Sequence, residues 1–193
     1  PWARCHRPMS RAALGGGGSG TVAANFSITT NLTRNTTNAV IDGTATAAPL
    51  STNITANTVA VDADNSAHIY SLSGAAGGSG NAAVGAAAAY SDISDATQAQ
   101  LNYSAVNAGQ TTAVTADNKA DIKTISIGFA GAGEGAAVQG TAASGRVANT
   151  TEATVVGTNM TNANDRVLVQ GTSNSSIFSE ALVATVGGIG AGV

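Results

Sequence analysis

Apolar residues recur along this chain in short runs, each broken by Gly, Asn, Asp or Ser. In "DIKTISIGF" (Asp121–Phe129), Ile122, Ile125, Ile127 and Phe129 are spaced by polar or small residues. "TEATVVGTNMTN" and "DRVLVQGT" are β-branched runs that end at Gly or Asn. Near-alternation bounded by turn-forming residues predicts short strands. One stretch competes as a helix: "NAAVGAAAAYSDISDATQAQL" is rich in Ala, the best helix former. Its counterpart further along, "GAAVQGTAASGRVANTTEATV", carries Gly, Thr and Val at the matching places and is a poor helix. Equivalent segments share a conformation, so both are predicted as strand.

The counterpart exists because the chain repeats itself. "AVDADNSAHI" (Ala60–Ile69) returns as "AVTADNKADI" (Ala113–Ile122), 53 positions later, and more loosely as "LVQGTSNSSI" (Leu168–Ile177). Val84/Val138, Ile93/Val147, Ala99/Ala153 and Val106/Met160 are each 54 apart. "NTTNAVIDGT" (Asn35–Thr44) matches "NTTEATVVGT" (Asn149–Thr158) two periods on, and the Gly-rich segment from Leu14 aligns with that from Phe129. A finer motif, a small residue two before an aliphatic one, ends at Ile41, Ile69, Leu101, Ile122, Val155 and Ile177. Its steps are 28, 32, 21, 33 and 22 residues. Twenty-odd residues is the size of one β-helix coil, so the reading is a repeat of about 54 residues built from two coils. The 28-residue step contains Pro49 and reads as a coil with an inserted loop.

The fold class that follows is all-β, a parallel β-helix (β-solenoid). Val61, Val114 and Val169 are expected to stack in one inner column, and Ile69, Ile122 and Ile177 in another. Asn65, Asn118 and Asn174 are expected near turns, as an Asn ladder. The Gly/Ala segment "GFAGAGEGAAVQGTAASG" (Gly128–Gly145) reads as closely packed strand, since a linker needs no register.

Composition narrows the picture. Only 10% of residues are charged and 4% aromatic, against a usual charged share of about 25%. A thin core lined by small residues fits better than one thick core. The net charge of −3 and the lack of a basic patch beyond the N-terminus argue against nucleic-acid binding. The longest apolar run, Ala181–Val193, is too short and Gly-rich for a membrane span. A single cysteine, Cys5, allows no internal disulfide. Residues 1–13 hold the only Trp, the only Cys, two of three Pro and three of six Arg. They read as an irregular arm or an appended segment, with the repeat domain at 14–193.

Candidate chemistry is thin, and no enzyme, catalytic residue, metal or cofactor is expected. The Gly-rich segments lack the Lys-Ser/Thr of a phosphate loop. Asp62, Asp64 and Asn65, with Asp117, Asn118 and Asp121, read as turn caps rather than calcium ligands. Asp92 and Asp95 read as solvent-facing, not as a glycosidase pair. His68 lies near Ser66, Ser71 and Asp64 but reads as an exposed coil residue. Paired threonines (Thr29–Thr30, Thr36–Thr37, Thr111–Thr112, Thr150–Thr151) shift in position, which disfavours an ice-binding array. Asn-x-Ser/Thr occurs at eight of sixteen Asn. Turn chemistry explains most of these, with glycosylation weighed equally at Asn35 and Asn149.

The unit "TADNKADIKTISIGFAGAGEGAAVQG…RVANTTEATV" resembles the repeats of large bacterial exoproteins, the filamentous haemagglutinin and leukotoxin-like adhesins, over about residues 14–193. The resemblance implies a right-handed parallel β-helix, export to the cell surface and a role as adhesin stalk or fibre-forming subunit. Partners would be the next coils of a longer solenoid, a second copy stacked end to end, or surface glycans. The alternative class is a carbohydrate-binding or carbohydrate-active β-helix.

Overall fold

The computed structural model describes residues 2–45, 52–162, 166–187 and 189–193. Among them all regular structure is strand: β1 (Trp2–Ser19), β2 (Val22–Thr33), β3 (Thr36–Asp42), β4 (Thr52–Ser79), β5 (Ala82–Ile93), β6 (Ala96–Asn102), β7 (Ser104–Ala132), β8 (Ala136–Val147), β9 (Thr150–Val156), β10 (Asn159–Asn162), β11 (Arg166–Val186) and β12 (Ile189–Gly192). The strands form three parallel sheets. The first has the order β1-β4-β7, with β10 and β11 both pairing with β7; the second is β2-β5-β8-β12; the third is β3-β6-β9.

Each turn of chain visits the three sheets in sequence. The long strands β4 and β7 run out, and β5–β6 and β8–β9 return on the opposite side. Core clusters trace the layers. Val61, Ala63, Val114 and Ala116 of the long strands pack against Ala99 and Leu101 of the third sheet. Ile69 and Ile122 meet Ile93 at the middle. Ala130 and Ala132 meet Ala83 and Ala137 at the far end.

Register follows the repeat. Ala60–Ile69 pairs position for position with Ala113–Ile122, and Leu168–Ile177 with the same partner. Val84/Val138, Ile93/Val147, Ala99/Ala153 and Val106/Met160 are all direct partners. The 54-residue spacing therefore separates adjacent strands, rather than spanning two stacked coils as expected. The finer motif arises differently: Ala67/Ile69 and Ala120/Ile122 lie in the long strands, while Ala99/Leu101 and Ala153/Val155 lie in the third sheet. Its alternating steps mark inward-facing residues on two sides of one turn of chain.

Other expectations shift. Residues 2–13, expected to be irregular, form most of β1 and pair in register with Asp62–Ser73. Leu14 pairs through Gly74 with Ile127, two positions from the Phe129 alignment. Nine residues of sequence separate Asp42 from Thr52, where one separates Asn102 from Ser104, and residues 46–51 of the expected inserted loop lie outside the described residues. Pro49 itself lies outside the described residues. Val61/Val114 and Ile69/Ile122 are buried columns, but Val169 and Ile177 continue them at 46% and 49% exposure, because among the described residues no further strand stacks on β11.

Half of the structure inverts the usual inside-out pattern. Beyond Ile122 the inward residues of β7 are Thr124, Ser126 and Gly128, whereas Ile125, Ile127 and Phe129 face outward. In β2, Ser27, Thr29, Asn31 and Thr33 are buried, while Phe26 and Ile28 are 66% and 75% exposed. The reason is close approach of the first and second sheets. Hydroxyls bridge the layers directly: Ser27 and Ser73 Oγ lie 3.1 Å apart, Thr124 donates to Ser91 Oγ (3.0 Å), and Ser126 donates to the Ala87 carbonyl (3.0 Å). Branched aliphatics would hold the layers apart and leave these groups unpaired, at about 1–3 kcal/mol each. Gly128 has its own reason. A Cβ there, or at Gly85, would collide with the buried side chain of Gln139.

Two of the turns from the third sheet back to the first use a left-handed residue, Tyr103 (φ 46°) ahead of β7 and Gly157 (φ 59°) ahead of β10. A non-Gly residue costs about 1–2 kcal/mol in that conformation.

Replacing fully buried Ile122 by Ala is expected to cost about 2–5 kcal/mol in urea unfolding. The same change at Ile177, in register but half exposed, is expected to cost well under half of that.

Candidate functional site

Two polar constellations stand out, one inside the layers and one outside. The inner one forms where the second sheet bends into the third, at Arg34–Asn35, Ser94–Asp95 and Ala148–Asn149. A bend interrupts the strand, yet its backbone N–H groups still need partners. Here the next strand's side chain supplies them. The Asn149 carbonyl oxygen accepts from the Asp95 N–H (3.1 Å), and the Asp95 carboxylate accepts from the Asn35 N–H (2.8 Å). The other Asp95 oxygen accepts from Asn65 Nδ2 (2.8 Å), which also lies 3.1 Å from Asn118 Oδ1. The bend is thereby tied across the core to the long strands.

This corrects several expectations. Asp95 and Asp92 are buried, at 3% and 6% exposure, not solvent-facing. Asn65 and Asn118 do stack, but in mid-strand and inside. Ser173, not Asn174, stands in register with Asn118. Two of the eight sequons gain a structural reason: Asn35 and Asn149 occupy the bend with Asp95 between them, and Thr37, Thr97 and Thr151 follow as an inward column. The amide nitrogens of Asn35 and Asn149, the expected glycan acceptors, are buried in the fold. Each paired threonine puts one hydroxyl inward and its neighbour's outward or less buried, as at Thr29 and Thr30, so no face collects both.

The outer constellation lies on the exposed side of the first sheet. His68 and Asp121 are cross-strand partners, and Ser66 sits two residues before His68 on the same face. Ser66 Oγ is 3.0 Å from His68 Nε2, and His68 Nδ1 is 3.0 Å from Asp121 Oδ2. One neutral tautomer satisfies both contacts: Nδ1–H donates to the carboxylate, and Nε2 accepts from the hydroxyl. The His6 ring, on the neighbouring β1, stands edge-on to His68 with centroids 5.6 Å apart. His68 is thus a partly buried, doubly bonded residue rather than a free one. The shift relating Ile69 to Ile122 already placed His68 beside Asp121, so the signal was present in the repeat.

Of the remaining acidic candidates, Asp64 and Asp117 are cross-strand partners on the outer face, and no third one joins them. Asp62 accepts from Thr115 Oγ1 (2.7 Å), and Asp64 pairs with Arg4 (3.2 Å). Asn65 and Asn118 point inward and Asp121 serves His68, so the six candidate turn caps are mid-strand and split between two faces. Grooves flank Ser66 on both sides. One is lined by Asp64, Asp117, Lys119, Thr172 and Asn174 among others, the second by Arg4, Cys5, His6 and Asp64.

Asp95→Ala leaves the Asn35 N–H and one Asn65 donor without their acceptor. It is expected to cost about 2–6 kcal/mol, from about 1–3 kcal/mol for each of the two buried unpaired groups, measured by urea unfolding.

No protein-family model, curated protein or solved structure matches this chain.

Proposed function

We propose that the chain is a right-handed parallel β-solenoid with one coil per 54 residues or so, and that it serves as a stalk or fibre-forming subunit of an exported bacterial surface protein. Parallel crossovers are right-handed in nearly all proteins. The observation that carries the reading is the state of the outermost strands. Among the described residues, β1 pairs with β4 alone and β11 with β7 alone. Each offers a full-length open edge, and unpaired parallel edges template further pairing.

The exposed columns at Val169 and Ile177 support it, since a further rung would cover them as Ile122 is covered. That rung is either more of the same polypeptide or a second copy stacked end to end. The apolar outer faces around Phe26, Ile28 and Phe129 add a surface suited to association. Export and contact with surface glycans are what the resemblance of the repeats to bacterial adhesins would imply, and a structural role agrees with the light, Ala/Gly/Thr-rich composition. Glycan attachment at Asn35 or Asn149 would have to precede folding, because both amides end up inside.

Sedimentation and negative-stain electron microscopy test the stacking. Concentrated protein is expected to form elongated multimers one solenoid wide, and Ile177→Lys is expected to leave a folded monomer. Monomers alone at high concentration, or unchanged multimers in the variant, count against end-to-end assembly.

A further inference from the structure

We propose that Ser66, His68 and Asp121 form an acyl-transfer site on the outer face of the first sheet, one that hydrolyses short acyl esters of hydroxyl-rich, uncharged carriers. This goes beyond the structural role and does not depend on it.

The geometry meets the requirements of an activated serine. A nucleophile needs a base within hydrogen-bond reach, and the base needs a third group to fix its tautomer. Both distances are 3.0 Å. The His68 and Asp121 side chains are 22% and 28% exposed, so they are held against the sheet yet reachable. Rigidity comes from the ladder beneath: Ser66 and His68 sit on β4 and Asp121 on β7, in unbroken register from Thr58 to Ser79. The three side chains therefore depend on no flexible loop.

Lys119 is the cross-strand partner of Ser66 and lines the same groove. Strand amides are committed to the sheet, so this cation takes the part that backbone N–H groups play in other acyl-transfer sites. Asp117, Thr172 and Asn174 make the groove polar. A hydroxyl-rich carrier finds donors and acceptors there, whereas a long acyl chain finds no apolar channel.

The chemistry closes on these residues and water. Ser66 Oγ adds to the ester carbonyl as its proton passes to His68 Nε2. The adduct collapses with cleavage of the bond to the carrier oxygen, which leaves as an alcohol carrying that proton. Water then attacks the acyl-serine by the same relay, and the products are the carboxylic acid and free Ser66.

A fluorophosphonate probe on the full chain, with peptide mapping, reads the serine directly, and p-nitrophenyl acetate reads turnover. Ser66 is expected to label at least about 100-fold faster than the other serines of the native protein, the low end of general-base catalysis. H68Q and D121N are expected to slow labelling by about 100-fold and 10-fold or more, K119A to slow ester turnover, and S66A to abolish it. Labelling of Ser66 no faster than of other exposed serines overturns the proposal. So does equal labelling in H68Q and D121N with strand content unchanged by circular dichroism. Selectivity among serines is read in the native chain, so the test survives a variant that fails to fold. Stacking is read separately by sedimentation, so failure here leaves the structural reading intact.

Discussion

Parallel, in-register hydrogen bonding between strands some 54 residues apart is the constraint on which the rest of this protein depends. A ladder of that kind places equivalent residues about 4.8 Å apart, one above another. Like then sits on like: Val61 on Val114, Ile69 on Ile122, Asn65 on Asn118. A one-residue slip would turn every inward side chain outward. The repeat in the sequence is therefore the trace of the ladder, not a separate property.

Thinness is the second consequence. Two layers joined by short bends enclose little volume, and one end of the enclosure is too narrow for branched aliphatics. The chain answers with two chemistries. Toward the third sheet, Val, Ile and Leu pack conventionally. Toward the second, Ser, Thr, Gly and Ala let the layers close and exchange hydrogen bonds, while Phe26, Ile28 and Phe129 turn to the outside. The bends are held by one Asx residue per turn of chain, whose side-chain oxygen satisfies the preceding strand's backbone.

How much of this was legible in the sequence depends on what each signal measured. Strand content and register were legible, because self-similarity reports directly which residues pair. The coil length was not legible, because small-x-aliphatic triplets occur in both the first and the third sheet, and a linear period cannot say which sheet it samples. The inverted faces were not legible, since Ile125 and Ile127 look like core until the narrow gap opposite Ser126 is known. Residues 2–13 lacked the repeat's composition, yet a strand edge pairs through its backbone and asks little of side chains. The Ser66–His68–Asp121 contact was half legible. The shift of 53 aligns His68 with Asp121, but alignment in a repeat means contact only once the ladder is known to pair strands at that interval.

The coil length is tested most directly by disulfide trapping in a Cys5→Ser background. Tyr70 and Lys123 are direct cross-strand partners on the outer face, within the Cα range of about 4.4–6.8 Å that a disulfide tolerates. Cysteines at both positions should oxidise readily to an intramolecular bond. Cysteines at Tyr70 and Asn102, which a coil set by the 32-residue step from Ile69 to Leu101 would bring together, should not. Cross-linking of the 70/102 pair in place of the 70/123 pair would contradict the stacking of strands at the 54-residue interval.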